Sequence, residues 1–214
     1  MDRALTVLLG VIAGVVVVLG AVALVVTLTG DDDPEEARFA ELEPSRFPPV
    51  THDDAAARAL VDAWSRWRTA TFVSSGSWTR ILDADPDAPL TGDVYSAQDP
   101  PRRFQVRLDG ASSIDDPDDY QSTLVAEISL VGGYVIGDAR LYDVADVGDG
   151  CFHAELIVAA LGSPWGRWAE YCFDEATGAL ELARVRRQSA VDIERHDAIR
   201  ADVGDSDFGS LVES

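Results

Sequence analysis

Residues 151–187 read CFHAELIVAALGSPWGRWAEYCFDEATGALELARVRR. Three stretches within them, 151–158, 167–173 and 179–187, are rich in apolar and aromatic side chains and have the length of β-strands. Residues 174–178 separate the last two stretches and end in a glycine, which can take the left-handed conformation of a hairpin connection. This stretch therefore predicts an antiparallel meander.

Both cysteines of the chain, Cys151 and Cys172, lie in this meander. Because neighbours in a strand point to opposite faces, sulfur atoms that meet on one face leave an apolar set on the other. That set comprises Phe152, Ala154, Leu156, Ala169, Tyr171 and Phe173. We favour a disulfide, with two buried free thiols as the alternative. A zinc site that includes His153 lacks a fourth ligand and a familiar spacing, so we predict no metal.

Two helices are predicted upstream of the meander. The first begins near Thr51, where Thr51 and Asp54 fit a capping box. Its apolar stripe comprises Ala57, Leu60, Val61, Trp64 and Trp67. The second begins with Asp116 as the cap and Pro117 in the first turn, and residues 132–133, both glycine, are expected to end it.

Two further strands precede the second helix. Residues 72–82 form the first, which Gly76 interrupts. In residues 103–109, apolar side chains such as Phe104 alternate with polar ones such as Arg103 and Gln105. This alternation predicts a strand whose polar side faces solvent.

The N-terminus carries a long uncharged stretch. Residues 4–28 contain no charged side chain, and their only polar side chains are Thr6 and Thr27. A helix of this length spans roughly 37 Å, enough to cross a hydrocarbon core of about 30 Å. The stretch is too long for the apolar part of a cleaved signal peptide. We therefore predict one transmembrane helix, whose partner is the lipid bilayer.

The flanking charges give the orientation. Arg3 is the only basic residue before the helix, and acidic residues follow it at 31–36. The positive-inside rule then predicts a cytoplasmic tail, residues 1–3, in the plasma membrane. Residues 29–50 are acidic and contain four prolines, which is typical of an extended stalk.

The length that remains fits one domain. Residues 51–208 are expected to form an extracytoplasmic α+β domain with a curved antiparallel sheet packed on two helices. Residues 209–214 are expected to be frayed. The domain and stalk carry the whole formal charge of −21, because the charges of the first thirty residues cancel. So acidic a domain repels nucleic acid, which we exclude as a partner.

All 17 basic residues are arginine, and the chain contains neither lysine nor asparagine. Both missing residues have A/T-rich codons, so this composition is typical of a high-GC genome such as that of an actinobacterium. It bears on origin rather than on mechanism.

No catalytic pattern is visible in the sequence. Residues 162–166 read GSPWG, which departs from the GxSxG pattern of a nucleophilic serine. The three histidines, His52, His153 and His196, stand in unrelated contexts. Residues 83–87 alternate carboxylates as a calcium loop does, but they lack the glycine and closing glutamate of an EF-hand. We predict no enzyme, no catalytic residue and no cofactor.

Five tryptophans are the residues best able to line an apolar ligand cavity. They are Trp64, Trp67, Trp78, Trp165 and Trp168. Packing into a solid core is the alternative interpretation of the same residues.

The order of elements resembles the lipoprotein-carrier (Lol-type) half-barrel superfamily, which includes lipid-carrying lipoproteins of mycobacterial envelopes. The stretches that carry the resemblance are FVSSG at 72–76, PRRF at 101–104 and CFDEATGAL at 172–180. It covers residues 52–208. The resemblance implies an antiparallel sheet wrapped around helices, with acyl chains held between the sheet and the helices. A membrane helix and strands rich in arginine and aspartate depart from that pattern.

The function that we favour is a membrane-anchored module of the cell envelope that binds a lipid or another apolar ligand. The alternative is a protein–protein interaction domain with a solid core and no ligand cavity.

Overall fold

The computed structural model describes residues 50–157 and 163–208. Within them lie two α-helices, nine β-strands and a short 3₁₀-helix at Asp205–Phe208. In chain order the elements are α1 Asp54–Thr69, β1 Phe72–Leu82, β2 Asp85–Asp99, β3 Arg102–Arg107, β4 Gly110–Ile114, α2 Pro117–Val135, β5 Tyr142–Gly148, β6 Cys151–Leu156, β7 Trp168–Phe173, β8 Leu180–Arg186 and β9 Ala190–Arg200. The predicted α+β class is confirmed.

The predicted tail 1–3, membrane helix 4–28 and frayed end 209–214 lie outside the described residues, as does nearly all of the predicted stalk 29–50. In the part of the chain that the structure describes, no helix has the length and apolar character that a membrane crossing requires.

The nine strands form one curved antiparallel sheet in the order β4-β3-β2-β1-β9-β8-β7-β6-β5. The meander predicted for residues 151–187 is present as β6, β7 and β8, each paired with the next. Because β1 pairs with β9, the first and last strands of the domain meet at the centre of the sheet.

Helix α1 begins at a different cap from the one predicted. Asp53 is the N-cap, and its carboxylate accepts a hydrogen bond from the N–H of Ala55 at 2.7 Å. The N–H of Asp53 donates to the carbonyl oxygen of Val144 at 3.0 Å. This bond joins the helix start to β5 and favours Asp53 over Thr51 as the cap.

Helix α2 begins as predicted, with Asp116 as the N-cap and Pro117 in the first turn. The expected end at residues 132–133 is wrong, because the helix continues to Val135. Val135 is fully buried, and the N–H of Ile136 donates to the carbonyl oxygen of Gly132 at 2.9 Å. Burial in the core thus outweighs the low helix propensity of the two glycines.

The predicted disulfide is confirmed. Cys151 and Cys172 stand opposite each other on β6 and β7 and are bonded, with their Cα atoms 4.0 Å apart. Both described cysteines are in this bond. Phe152 and Tyr171, a neighbour of each cysteine, lie in the apolar core on the other face of the sheet.

Residues 83–87 form the connection between β1 and β2 and the start of β2. Positions 83 and 84 make a turn, and β2 begins at Asp85. The carboxylate of Asp83 is 2.6 Å from a guanidinium nitrogen of Arg186. Among residues 50–157 and 163–208, no three acidic, histidine or cysteine side chains are grouped as metal ligands.

Candidate functional site: the inner face of the sheet

The two helices cover one face of the sheet, which we call the inner face. Over β5–β8 the inner face is apolar. Its core residues there include Tyr142, Val144, Phe152, Ala154, Ala169, Tyr171, Phe173, Ala183 and Val185. Helix α1 and the C-terminal turns of α2 supply the opposite side of this core through residues such as Leu60, Trp67 and Val131.

Trp64 lies at the centre of an aromatic cluster in this core. Its ring centroid is 5.1 Å from that of Trp67, 5.7 Å from that of Trp165 and 5.1 Å from that of Tyr171. Trp64 remains partly exposed, and its buried indole nitrogen has no hydrogen-bond partner. The structure therefore brings together three of the five tryptophans that we considered for a cavity.

The other two tryptophans lie apart. Trp168 alternates with the core residue Ala169 on β7, and its ring is 5.9 Å from that of His153. Trp78 lies on β1, where a Cβ atom added to Gly92 would be 2.4 Å from the indole nitrogen. Gly92 therefore leaves room for the Trp78 ring on the neighbouring strand.

Over β1–β4 the inner face combines buried apolar residues such as Phe72 and Val94 with a group of polar side chains. Arg103 and Gln105 were expected to face solvent, and this prediction is wrong: their exposed fractions are 8% and 5%. The side chain of Gln105 donates to the hydroxyl oxygen of Ser96 at 3.2 Å. Gln98, also buried, donates to the carbonyl oxygens of Trp67 and Ala70 and so binds the C-terminal end of α1.

Helices α1 and α2 each contribute one charged residue to this polar region. Glu127 on α2 binds Arg68 on α1, with an oxygen 2.6 Å from Nε, and Arg103 on β3 at 3.3 Å. The guanidinium of Arg68 also lies 3.7 Å from the ring centroid of Trp67. Burial is the main cause that lowers the pKa of Arg68 to about 9; Glu127 raises it, and Arg103 lowers it further.

A second charged group lies on β3 and β9. One oxygen of Glu194 accepts hydrogen bonds from Arg107 at 2.7 and 3.0 Å, and the other is 3.0 Å from Nε2 of His196. Burial acts to raise the pKa of Glu194, but these hydrogen bonds and charges outweigh it and hold the pKa below its ordinary value.

A third charged group joins β1, β9 and the connection between β8 and β9. Asp192 binds Arg80 through two hydrogen bonds of 2.6 and 2.9 Å, and Arg187 through one of 3.2 Å. Arg187 also donates to the carbonyl oxygen of Pro164 at 2.7 Å. Burial acts to raise the pKa of Asp192, and the bonds and charges of both arginines outweigh it.

The three histidines have separate partners. His52 contacts Asp54 and Asp143, His153 lies beside Trp168, and His196 contacts Glu194.

Two open clefts are present among the described residues. One, of about 570 Å³, runs beside the end of α1, and its lining includes Arg66, Asp174 and Glu175 together with Phe152 and Phe173 of the inner face. The other, of about 410 Å³, lies over the disulfide beside Arg195 and Asp197. Both clefts combine charged side chains with apolar ones, so their walls are more polar than those typical of a small-molecule pocket.

The sequence pattern indicates the tryptophans of the inner face but not its arginines. Arg80, Arg107 and Arg187 look like ordinary solvent-facing residues in their strands. Their position in the strands could have identified them, because residues two apart in a strand point to the same face. Arg80 lies two residues after Trp78, and Arg107 lies two residues after Gln105.

The chain was also compared with known proteins. It matches no protein-family model and no curated protein sequence.

Proposed function

We propose that this chain is a single-pass, membrane-anchored module of the cell envelope that holds a small apolar or amphipathic molecule on its inner face, without catalysing a reaction. The observation that carries the proposal is the incomplete cover of that face. Trp64 and Trp78 are partly exposed there, and the side chain of Arg107 is 28% exposed.

The inward stripe of α2 supports this proposal. Val131 and Val135 are buried on it, whereas Ile128 and Leu124, one and two turns nearer the N-terminus than Val131, are only half-buried. The first half of α2 thus leaves apolar surface uncovered on the side of the helix that faces the sheet. A small molecule with an apolar body would bury this surface at roughly 25 cal/mol per Å².

Tryptophan fluorescence tests the proposal in the full-length protein. A brominated fatty alcohol quenches a tryptophan only on contact, and all five tryptophans lie in the described part of the chain rather than in residues 4–28. We expect saturable quenching that falls in Trp64→Phe and is unchanged in Trp168→Phe, the control on the other face. Quenching that is absent, or equal in both variants, overturns the proposal.

The location is part of the same proposal. Residues 4–28 would cross the plasma membrane with the tail 1–3 in the cytoplasm, and residues 51–208 would lie outside. The Cys151–Cys172 disulfide supports an extracytoplasmic site, because such bonds persist in oxidising compartments. Full-length protein should stay in the membrane pellet after alkaline carbonate extraction; recovery in the supernatant contradicts the anchor.

The resemblance to the lipoprotein-carrier superfamily, which rests on the stretches 72–76, 101–104 and 172–180, also supports the proposal. It favours a lipid among the apolar ligands. Native mass spectrometry of the full-length protein released from micelles should then detect a bound lipid, and a mass equal to that of the bare chain counts against the resemblance.

A second candidate function is protein–protein interaction through the outer side of α2. Val125, Leu130 and Ile136 are 56%, 53% and 42% exposed, and residues 128–137 contain no charge in a strongly acidic chain. The matching partner is an uncharged helix of another membrane-anchored protein.

Site-specific crosslinking distinguishes this candidate. A photoreactive residue at Val125 should crosslink one partner in intact cells. The crosslink should be lost in Leu130→Asp and kept in Leu90→Asp, since Leu90 is equally exposed but lies on β2. A crosslink that survives Leu130→Asp rules out this surface.

A further inference from the structure

Arginines outnumber carboxylates in the ion pairs of the inner face. Glu127 is shared by Arg68 and Arg103, and Asp192 by Arg80 and Arg187. Glu194 binds a single arginine, which is Arg107. In the described part of the chain, these pairs therefore join five arginines to three carboxylates.

In the remaining arginine–carboxylate pairs, the carboxylates outnumber the arginines. Arg102 binds two carboxylates, those of Asp99 and Asp205. Four others have one carboxylate each: Arg140 with Asp143, Arg184 with Glu170, Arg186 with Asp83 and Arg200 with Asp207. In a chain of net charge −21, the excess of cations is thus a local property of the inner face.

Arg187 shares the carboxylate of Asp192 with Arg80, so its charge is incompletely neutralised beside the aromatic cluster. An arginine also keeps its proton over the physiological range, so the excess charge persists until an anion neutralises it. The guanidinium groups and the aromatic cluster are adjacent: Arg107 lies 5.6 Å from the ring centroid of Trp67.

Tyr171 lies between the arginines and the aromatic cluster. Its hydroxyl is affected electrostatically by both Arg187 and Arg107, which lower its pKa while burial, the larger cause, raises it. Its ring packs against Trp64, whose indole N–H has no acceptor. Arg187 donates to the carbonyl oxygen of Pro164, next to Trp165, whose ring lies 5.7 Å from that of Trp64. Both cations and the unpaired indole donor therefore lie beside the aromatic cluster.

We propose that Arg107 and Arg187, with the indole N–H of Trp64, bind an oxyanion, a carboxylate or phosphate group carried by the molecule that the inner face holds. This inference rests on the proposed function and deepens it: the ligand is an amphipathic anion, with its apolar body against the aromatic cluster. Guanidinium groups suit both oxyanions, because they form paired, charge-assisted hydrogen bonds with them.

Calorimetric titration of the full-length protein in neutral detergent tests the inference with four probes: octyl phosphate, octanoate, octanol and inorganic phosphate. We expect at least one of the two alkyl anions to bind about tenfold or more tightly than octanol, because only anions form charge-assisted hydrogen bonds with arginine. The stronger of the two identifies the oxyanion as phosphate or carboxylate.

Variants then locate the site. Arg107→Gln should weaken binding of the preferred anion by about tenfold or more and leave octanol unchanged, because the substitution removes only the charge-assisted contact. Arg107→Lys should retain part of the preference. The control is Arg102→Gln, whose arginine already binds two carboxylates. If Arg107→Gln does not fold, Arg187→Gln replaces it, since the Arg187 side chain is 42% exposed.

Each outcome bears on a different claim. Equal affinity for octanol and both alkyl anions overturns the oxyanion site and leaves the proposed function standing. Binding of no probe overturns both. Binding of inorganic phosphate alone, if lost in Arg107→Gln, supports the oxyanion site and removes the apolar part of the proposed function. Anion binding unaffected by Arg107 and Arg187 variants overturns the inference.

Discussion

The substitution Glu127→Gln tests how the polar half of the inner face is held together. Glu127 is the only carboxylate that the described structure pairs with Arg68 and Arg103, at 2.6 and 3.3 Å. Both arginine side chains are less than one-tenth exposed. Glutamine preserves the shape and one of the two acceptor oxygens, replaces the other with an NH₂ donor and removes the negative charge, so two buried cations lose their counter-charge.

The magnitude follows from the two contacts. A hydrogen bond to a charged group contributes about 1.5–3 kcal/mol and a neutral one about 1 kcal/mol, so each arginine loses roughly 1.5 kcal/mol. The sum, about 3 kcal/mol, corresponds to a fall in melting temperature of about 6–12 °C for a domain of this size. The Glu127 side chain is 26% exposed, and solvent screening favours the lower half of that range.

Thermal unfolding followed by near-ultraviolet circular dichroism measures this fall. The control is Glu181→Gln on β8, where the exposed side chain should make little difference. Adding Arg103→Gln to Glu127→Gln should restore part of the stability, because it removes one of the two uncompensated cations. A melting temperature that matches the control refutes the reasoning.

Three further predictions concern the pH dependence of stability, the disulfide and two glycine positions. The pKa of Glu194 in the folded protein lies below its ordinary value of 4.5. Its ionised form therefore stabilises the fold above pH 4.5, and this contribution is lost as the pH falls through the pKa of the folded protein. The melting temperature of Glu194→Gln should accordingly be less sensitive to pH below 4.5 than that of the original protein. Reducing the disulfide, which spans 21 residues, should lower stability by about 3 kcal/mol, measured as a melting shift with and without reductant. Gly166→Ala should cost about 2 kcal/mol or more in chemical denaturation, because φ is +68° and the new Cβ would lie 2.1 Å from the Arg186 carbonyl oxygen. Gly132→Ala, in open space on α2, should instead gain up to about 1 kcal/mol.

Local patterns predicted those elements whose residues alternate with a clear period. The strands in 151–187, the first residues of α2 and the disulfide all followed from neighbours in the chain. The strand β2 did not. Its first half, DPDAPLTGD at 85–93, contains the residues least favourable to strands and is mostly exposed. It is a strand because it pairs with β1 over almost its whole length, which is a tertiary cause.

The error over residues 103–109 has a similar origin. Alternation identified β3 correctly, but it could not tell which side of the strand is covered. The polar side is buried because Glu127, 24 residues after Arg103, approaches it from α2. A strand that is buried on its polar side requires a distant partner, and no local pattern contains that partner.

The division of the inner face bears on where function resides. Over β5–β8 the residues serve stability, since aromatic and aliphatic side chains fill the space under α1. Over β1–β4 and β9 the same face carries shared carboxylates and excess arginines, which contribute less to stability than apolar residues of similar volume would. The other half of the sheet carries three arginines, Arg80, Arg103 and Arg107, which an apolar core does not require. The chemistry of that half is the reason to look for the ligand there, at the border with the aromatic cluster where an amphipathic anion would contact both.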